Sequence, residues 1–119
     1  MYSIKIEVHF SAAHNLRNYK GKCEELHGHN WKVEAVVLSG KLDKSGMLLD
    51  FEYLKTELNK ILEKLDHKYL NNISYFKKAN PTSENIARYI YENLKTQVKD
   101  LRSITVWESH NSCATYYEK

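Results

Sequence analysis

The sequence is short of the features that would divide it or carry it through a membrane. It has one proline, Pro81, and four glycines, and no repeat, low-complexity segment or inter-domain linker interrupts it. One domain over residues 1–119 is therefore expected. No apolar run approaches the ~20 residues needed to cross a bilayer. Met1-Tyr2-Ser3-Ile4-Lys5-Ile6 also lacks the apolar core of a signal peptide. The expectation is a cytoplasmic chain with no membrane partner. No Lys/Arg run with interleaved aromatics marks a nucleic-acid groove, so no nucleic-acid partner is expected either. Cysteine is scarce, with only Cys23 and Cys113. In a reducing compartment both stay free, which favours a metal-adjacent or catalytic thiol over a disulfide.

What is present is an ordinary globular composition, 42% hydrophobic and 28% charged, with a net charge of +3 that suits an anionic small substrate. The mean hydropathy of −0.63 is low for a monomer that must bury a core. Nine tyrosines supply amphipathic rings suited to half-buried sheets and subunit contacts.

The densest chemistry lies in Lys22-Cys23-Glu24-Glu25-Leu26-His27-Gly28-His29-Asn30. In an extended chain His27 and His29 point to one face, separated by the smallest residue, and together can grip one metal ion. Zinc accepts imidazole nitrogen, and three protein ligands leave a fourth position for water or substrate. The best third ligand is His14 in Phe10-Ser11-Ala12-Ala13-His14, with Cys23 placed beside the metal rather than on it.

The pattern along the chain is strand, strand, helix, helix, strand, strand. Residues 2–10 alternate, with Ile4, Ile6, Val8 and Phe10 on one face and His9 on the polar face. Residues 11–26 read as a long polar loop that carries His14 and Cys23. Residues 27–39 alternate again, and His27 and His29 share the parity of Trp31 and Val33. Residues 40–46 read as a hairpin loop, and Met47-Leu48-Leu49 as a short returning strand. Asp50 is an N-cap ahead of Phe51, Leu54, Leu58, Ile61, Leu62 and Leu65 at helical spacing. That helix is expected to end near Asp66-His67-Lys68-Tyr69-Leu70-Asn71. Asp66 and His67 there are either surface polarity or a carboxylate–imidazole pair that favours a charged ring.

Residues 72–80 read as a loop. Pro81-Thr82-Ser83-Glu84-Asn85 opens a second helix, with Ile86, Tyr89, Ile90 and Leu94 as its buried stripe. Thr82, Ser83 and Glu84 either cap that helix or meet a ligand. Residues 103–109 and 113–118 are strands. Glu108, near the end of the first, is either an exposed carboxylate or the acceptor of two parallel N–H bonds. The fold class is α+β, an antiparallel four-stranded sheet with two helices inserted between strand pairs. Its open edges invite closure by neighbouring subunits.

These motifs, in this order, from about residue 3 to 118, resemble the 6-pyruvoyl-tetrahydropterin synthase family. The short Cys23-x-x-x-His27-Gly28-His29 spacing is most similar to its bacterial and archaeal branch, the 6-carboxy-5,6,7,8-tetrahydropterin synthases of queuosine and other 7-deazapurine pathways. The resemblance implies a tunnelling fold: trimeric barrels stacked into a homohexamer with active sites at subunit interfaces. It implies zinc (Zn2+) on His14, His27 and His29, with Cys23 as general base. Asp66 and His67 would be its proton relay, from a neighbouring subunit. Glu108 would anchor the pterin, assisted by Thr82 and Ser83. The implied substrate is 7,8-dihydroneopterin triphosphate, whose phosphates find candidate cations in Arg17, Lys20, Lys22, Lys68, Lys77 and Lys78. Glu24, adjoining Cys23, also gives Glu-x-x-His-Gly-His, which resembles members that cleave the same substrate to 6-hydroxymethyl-7,8-dihydropterin for folate synthesis. A chain with both looks like a dual-function form. A reading of another class, a pterin- or zinc-binding module without turnover, stays beside these.

Overall fold

The computed structural model describes residues 1–119. Strand β1 (Tyr2–His14) runs through a long connection, with a 3-10 turn at Lys22–Glu24, into β2 (His27–Ser39). Helix α1 (Phe51–Leu62), the two-residue strand β3 (Lys68–Tyr69), and helices α2 (Ser74–Lys78) and α3 (Ser83–Lys95) follow. Strands β4 (Leu101–Ser109) and β5 (Ser112–Tyr117) close the chain. The sheet order is β3-β1-β2-β4-β5, antiparallel throughout except for the parallel β1–β3 pair. The class is α+β, as the pattern predicts, with a fifth strand added at the edge.

One face of the sheet is the core face. Along β2, Trp31, Val33, Ala35 and Val37 are fully or almost fully buried, while the residues between them are half-buried. Ile6, Phe10 and Ala12 do the same on β1. Against this face α1 lays Leu54, Leu58 and Leu62, one turn apart, and α3 lays Ile86, Ala87, Ile90, Tyr91 and Leu94. Both helices are capped as expected: the Asp50 carboxylate accepts from Glu52 N–H at 2.8 Å, and the Thr82 hydroxyl from Asn85 N–H at 3.1 Å. Tyr89 is half-buried at the rim of its stripe.

Four local expectations change. First, β1 does not stop at residue 10 but continues to His14. Ser11, Ala12 and Ala13 have little strand propensity of their own. They are held between two partners, β2 on one side and β3 on the other, and the ladder overrides propensity. Second, Met47–Leu49 is not a strand. The Asp43 carboxylate accepts from Ser45 N–H at 2.8 Å and Met47 N–H at 3.0 Å, which folds the segment into a side-chain-held turn with no strand to pair with.

Third, α1 ends at Leu62, and Phe51 in its first turn is 52% exposed rather than part of the buried stripe. Leu65 is nevertheless buried, in the turn beyond the helix. His67 there takes a left-handed φ of 58°. That bend brings its N–H to the Ser11 carbonyl at 2.6 Å and starts β3. Fourth, residues 72–80 contain α2, a single short turn pinned by the fully buried Phe76. No helix is long and apolar enough to cross a membrane.

Leu58 makes no contact with solvent. Leu58→Ala should cost about 2–5 kcal/mol of stability, whereas Asp50→Ala, which loses only the cap, should cost about 1 kcal/mol. Urea unfolding of the two variants side by side checks the order.

Candidate metal centre and active site

The β1–β2 register places His14 opposite His27 and Ala12 opposite His29. The three imidazoles therefore meet on the core face where the sheet opens. Their ring centroids lie 4.6 Å (His14–His27), 5.2 Å (His14–His29) and 4.7 Å (His27–His29) apart, all edge to face. Trp31 forms the floor, 4.9 Å from His14 and 5.1 Å from His29 between ring centroids, with its indole N–H on the Ala12 carbonyl at 3.2 Å.

Carbonyl groups fix two of the tautomers. His14 Nδ1 donates to Pro81 O at 2.7 Å, and His27 Nδ1 to Glu25 O at 2.7 Å. A carbonyl can only accept, so these Nδ1 atoms carry the protons and each Nε2 keeps a lone pair. His14 Nε2 and His29 Nε2 are buried and have no hydrogen-bond partner. Burial, first of all, pushes the pKa of His14 down, aided by the neighbouring rings and opposed by the Pro81 carbonyl. Burial likewise lowers that of His29, opposed by Glu108. Neutral rings with unused lone pairs fit a divalent cation, and a buried polar atom without a partner is otherwise costly.

Glu108 stands nearer this cluster than a remote ligand anchor needs to. Its Oε1 is 3.5 Å from His29 Nε2, and one potential ligand atom from each of His14, His27, His29 and Glu108 lies within 4.8 Å of the others. Its Oε2 accepts from the Ser83 hydroxyl at 3.5 Å. Thr82 spends its hydroxyl on the helix cap, so of the two α3 residues only Ser83 reaches the carboxylate.

Cys23 lies in the 3-10 turn, half-buried, outside this four-residue cluster, and Glu24 beside it is exposed. The turn is tied down by asparagines that sequence reasoning did not single out. Asn71 exchanges two hydrogen bonds with the backbone of Asn15, at 3.0 and 2.9 Å, and Asn80 does the same with Arg17, at 3.0 and 2.9 Å. Between those clamped residues, Leu16 N–H donates to Cys23 O at 2.8 Å. In the sequence Asn71 only closes the stretch Asp66-His67-Lys68-Tyr69-Leu70-Asn71, and Asn80 only precedes Pro81. Gly28 is less constrained than the spacing suggests: a Cβ there would come no closer than 3.9 Å to Ala12 O.

Asp66 and His67 are placed elsewhere. Asp66 Oδ2 is 3.1 Å from His67 Nδ1, and Asp66 also accepts from Ser11 N–H at 2.8 Å. That backbone N–H, then His67, holds the Asp66 carboxyl below its ordinary pKa. The pairing of Ala12 with Lys68 puts His67 level with Ser11, on the strand parity opposite to Ala12 and His14. It is 82% exposed, beside an open depression of about 540 Å³ shared with Lys68 and Tyr69. Of the candidate cations, Arg17 is engaged with Phe76 O at 2.6 Å, while Lys20, Lys22, Lys68, Lys77 and Lys78 are exposed.

Residues 3–119 match the family described as 6-pyruvoyl tetrahydropterin synthase. The 6-carboxy-5,6,7,8-tetrahydropterin synthase of Synechocystis sp. is 38% identical over 123 residues, covering 98% of this chain and 94% of that protein. The dihydroneopterin monophosphate aldolase of Pyrococcus furiosus is 40% identical over 105 residues, covering 85% of this chain and 84% of that protein. The solved structure of Caenorhabditis elegans 6-pyruvoyl tetrahydropterin synthase superposes with a TM-score of 0.89 at 32% identity, covering 99% of this chain and 96% of that one.

The lowered pKa values of His14 and His29 set a pH dependence. Above the ordinary value of 6.5 both rings are neutral whether the chain is folded or not. Below it the unfolded chain takes up protons that the folded chain refuses, so stability falls as pH falls. Metal-free protein should therefore weaken below about pH 6.5, and the slope should flatten in His29→Gln. Asp66 adds a further loss only as pH drops through and below its ordinary 3.8. Urea midpoints at stepped pH measure both.

Proposed function

The chain belongs to the 6-pyruvoyl tetrahydropterin synthase family, and on that premise we propose that it is a zinc-dependent 6-carboxy-5,6,7,8-tetrahydropterin synthase. It converts 7,8-dihydroneopterin triphosphate to 6-carboxytetrahydropterin with loss of triphosphate and acetaldehyde, a step of queuosine and 7-deazapurine synthesis. The observation that carries this reading is the pair of buried, unpartnered Nε2 atoms in a three-imidazole cluster, with a cysteine-bearing turn in the connection between His14 and His27.

Each residue has a part. His14, His27 and His29 hold the zinc ion, which supplies Lewis acidity toward the side-chain hydroxyls of the substrate. Glu108 accepts from the 2-amino group and ring N–H of the pterin, and Ser83 steadies its second oxygen. Cys23 acts as the general base on the substrate side chain. A free thiol is mostly protonated at neutral pH, so its activation depends on nearby positive charge. His67 passes the proton on from Nε2, since its Nδ1 faces Asp66. Asp66, kept ionised by the Ser11 N–H, stabilises the imidazolium that results.

The relay reaches the thiol from a second subunit. Within one chain, His67 lies on the strand parity opposite the imidazole cluster. A homohexamer of two stacked trimers, with sites at subunit interfaces, supplies that second copy. The cytoplasm is the compartment in which Cys23 stays reduced.

A second reading has its own support. Glu24 adjoins Cys23, and a 40% identical relative is named an aldolase. Cleavage of dihydroneopterin triphosphate to 6-hydroxymethyl-7,8-dihydropterin, beside or instead of the first reaction, is what Glu24 would serve as base.

Two measurements test these readings. Zinc-loaded wild type should form 6-carboxytetrahydropterin. Cys23→Ala should lose about 10²–10⁴-fold of that rate, while Glu24→Ala keeps it; survival of the substrate in wild type refutes the synthase. Any 6-hydroxymethyl-7,8-dihydropterin should disappear in Glu24→Ala and persist in Cys23→Ala. Separately, mixing inactive Cys23→Ala with inactive His67→Ala protein after dissociation and reassembly should restore activity. Failure of the mixture to recover any activity would place the thiol and the relay in one chain.

A further inference from the structure

We propose that Glu108 serves two partners in turn. It closes the metal site as a fourth ligand when no pterin is bound, and it is handed over to the pterin when the ring arrives. The inference rests on the reading of Glu108 as pterin anchor and of the histidine cluster as a metal site.

The geometry points to a carboxylate without a settled partner. Glu108 makes two polar contacts, to His29 Nε2 and to the Ser83 hydroxyl, and both lie at 3.5 Å, the outer limit of a hydrogen bond. Yet its side chain is only 31% exposed. An ionised carboxylate that has given up most of its water normally takes shorter, charge-assisted bonds in return. Here Oε1 instead faces the region where His14 Nε2 and His29 Nε2 are buried without partners. The ligand atoms of the four residues already lie within 4.8 Å of one another. Three imidazoles and one carboxylate make a complete tetrahedral set for a divalent ion. Neutral imidazoles leave the charge of such an ion uncompensated, and one carboxylate halves it.

The same two oxygens are what a pterin edge needs. A 2-amino group and its neighbouring ring N–H bind a carboxylate through both oxygens side by side. Oε2 is already turned toward Ser83 at the start of α3, but Oε1 is committed to the metal side. The two demands fall on one atom, so the pterin ring and the metal compete for Oε1. By linkage the antagonism is mutual: each weakens binding of the other by the same factor. One consequence is that the metal keeps a closed shell until the ring is seated, and its fourth position becomes open only beside bound substrate.

The test uses the full chain and needs no turnover. Zn2+ affinity is measured by chelator competition in wild type, Glu108→Gln and Lys5→Ala, the last a control on the opposite face of the sheet. Glu108→Gln should bind zinc at least about tenfold more weakly, and Lys5→Ala should match wild type. Circular dichroism of each variant confirms that it is folded. The second arm uses wild type loaded with Co2+ and titrated with 7,8-dihydropterin, a ring without side-chain hydroxyls to replace the lost ligand. The visible d–d bands should change with saturation, zinc affinity should fall by the same factor by which zinc weakens the ring, and Glu108→Gln should show neither effect. The proposal is overturned if Glu108→Gln binds zinc as tightly as wild type, or if dihydropterin leaves both the cobalt bands and zinc affinity unmoved. Mutual antagonism in a protein that makes no product would sink the synthase reading and leave this one standing; product without antagonism does the reverse.

Discussion

The thirteen-residue antiparallel register between β1 and β2 is the constraint on which the site depends. It pairs Tyr2 with Ser39 at one end and His14 with His27 at the other, with no bulge between. Side chains alternate along each strand, so a slip of one residue would turn His14 to the open face and separate it from its partners. The slip is prevented by the core itself. Phe10 stacks on Trp31 at 6.0 Å, and Val8 lies opposite Val33, Ile6 opposite Ala35 and Ile4 opposite Val37 on the helix-covered face. The same shift that would scatter the imidazoles would expose this whole apolar set, so folding energy holds the geometry of the site.

The site also borrows from the core at closer range. Trp31 is fully buried and presents its ring edge-on to both His14 and His29. It is thus the last core residue and the first wall of the site. Burial there keeps the rings neutral, and the carbonyl groups of Pro81 and Glu25 turn the free nitrogens inward. Pro81 immediately precedes the cap of α3, so the N-terminus of that helix sets the tautomer of His14 through its backbone and meets Glu108 through Ser83. One helix start therefore serves two groups on opposite sides of the cluster.

Much of this was legible in the sequence, and the reasons differ by residue. His27 and His29 could be placed because they continue the parity of Trp31 and Val33 within one strand, where periodicity alone decides facing. His14 could be nominated by its position after a clear strand, but its placement on the strand could not be read. Ser11 to Ala13 carry no strand signal, and what makes them a strand is β3, a two-residue element too short to announce itself. The same gap hid the side on which Asp66 and His67 lie, because that depends on the left-handed bend at His67 and on pairing with Ser11. The asparagine clamps were invisible for a related reason. Asn71 with Asn15, and Asn80 with Arg17, join segments 56 and 63 residues apart, and such pairings leave no local period. Glu108 shares the parity of the buried Ile104 and Val106 on β4, so alternation puts it on the core face; that β4 lies beside β2, with Trp107 level with Lys32, is what no spacing rule foretells.

The two faces of the sheet explain why the proposed chemistry and the proposed assembly are one problem. The helices cover the face that holds the metal-ligand candidates, and the opposite face carries polar side chains such as Lys5, Lys32 and Glu34. Trp107 on that face donates its indole N–H to Glu34 at 2.7 Å and lies 4.7 Å beneath the Lys32 ammonium, so even its largest ring is bound into a polar network. A single sheet cannot bring side chains of opposite parity together around its own strands. The edges, however, are unfinished: β3 offers two residues and β5 six, each with a row of backbone groups that no strand of the chain satisfies. Edge pairing between copies is the economical way to satisfy those groups. It would lay the β3 edge, and with it Asp66 and His67, against a neighbour. On that reasoning the proposed relay and the unpaired strand edges of an isolated chain would be completed by one association event.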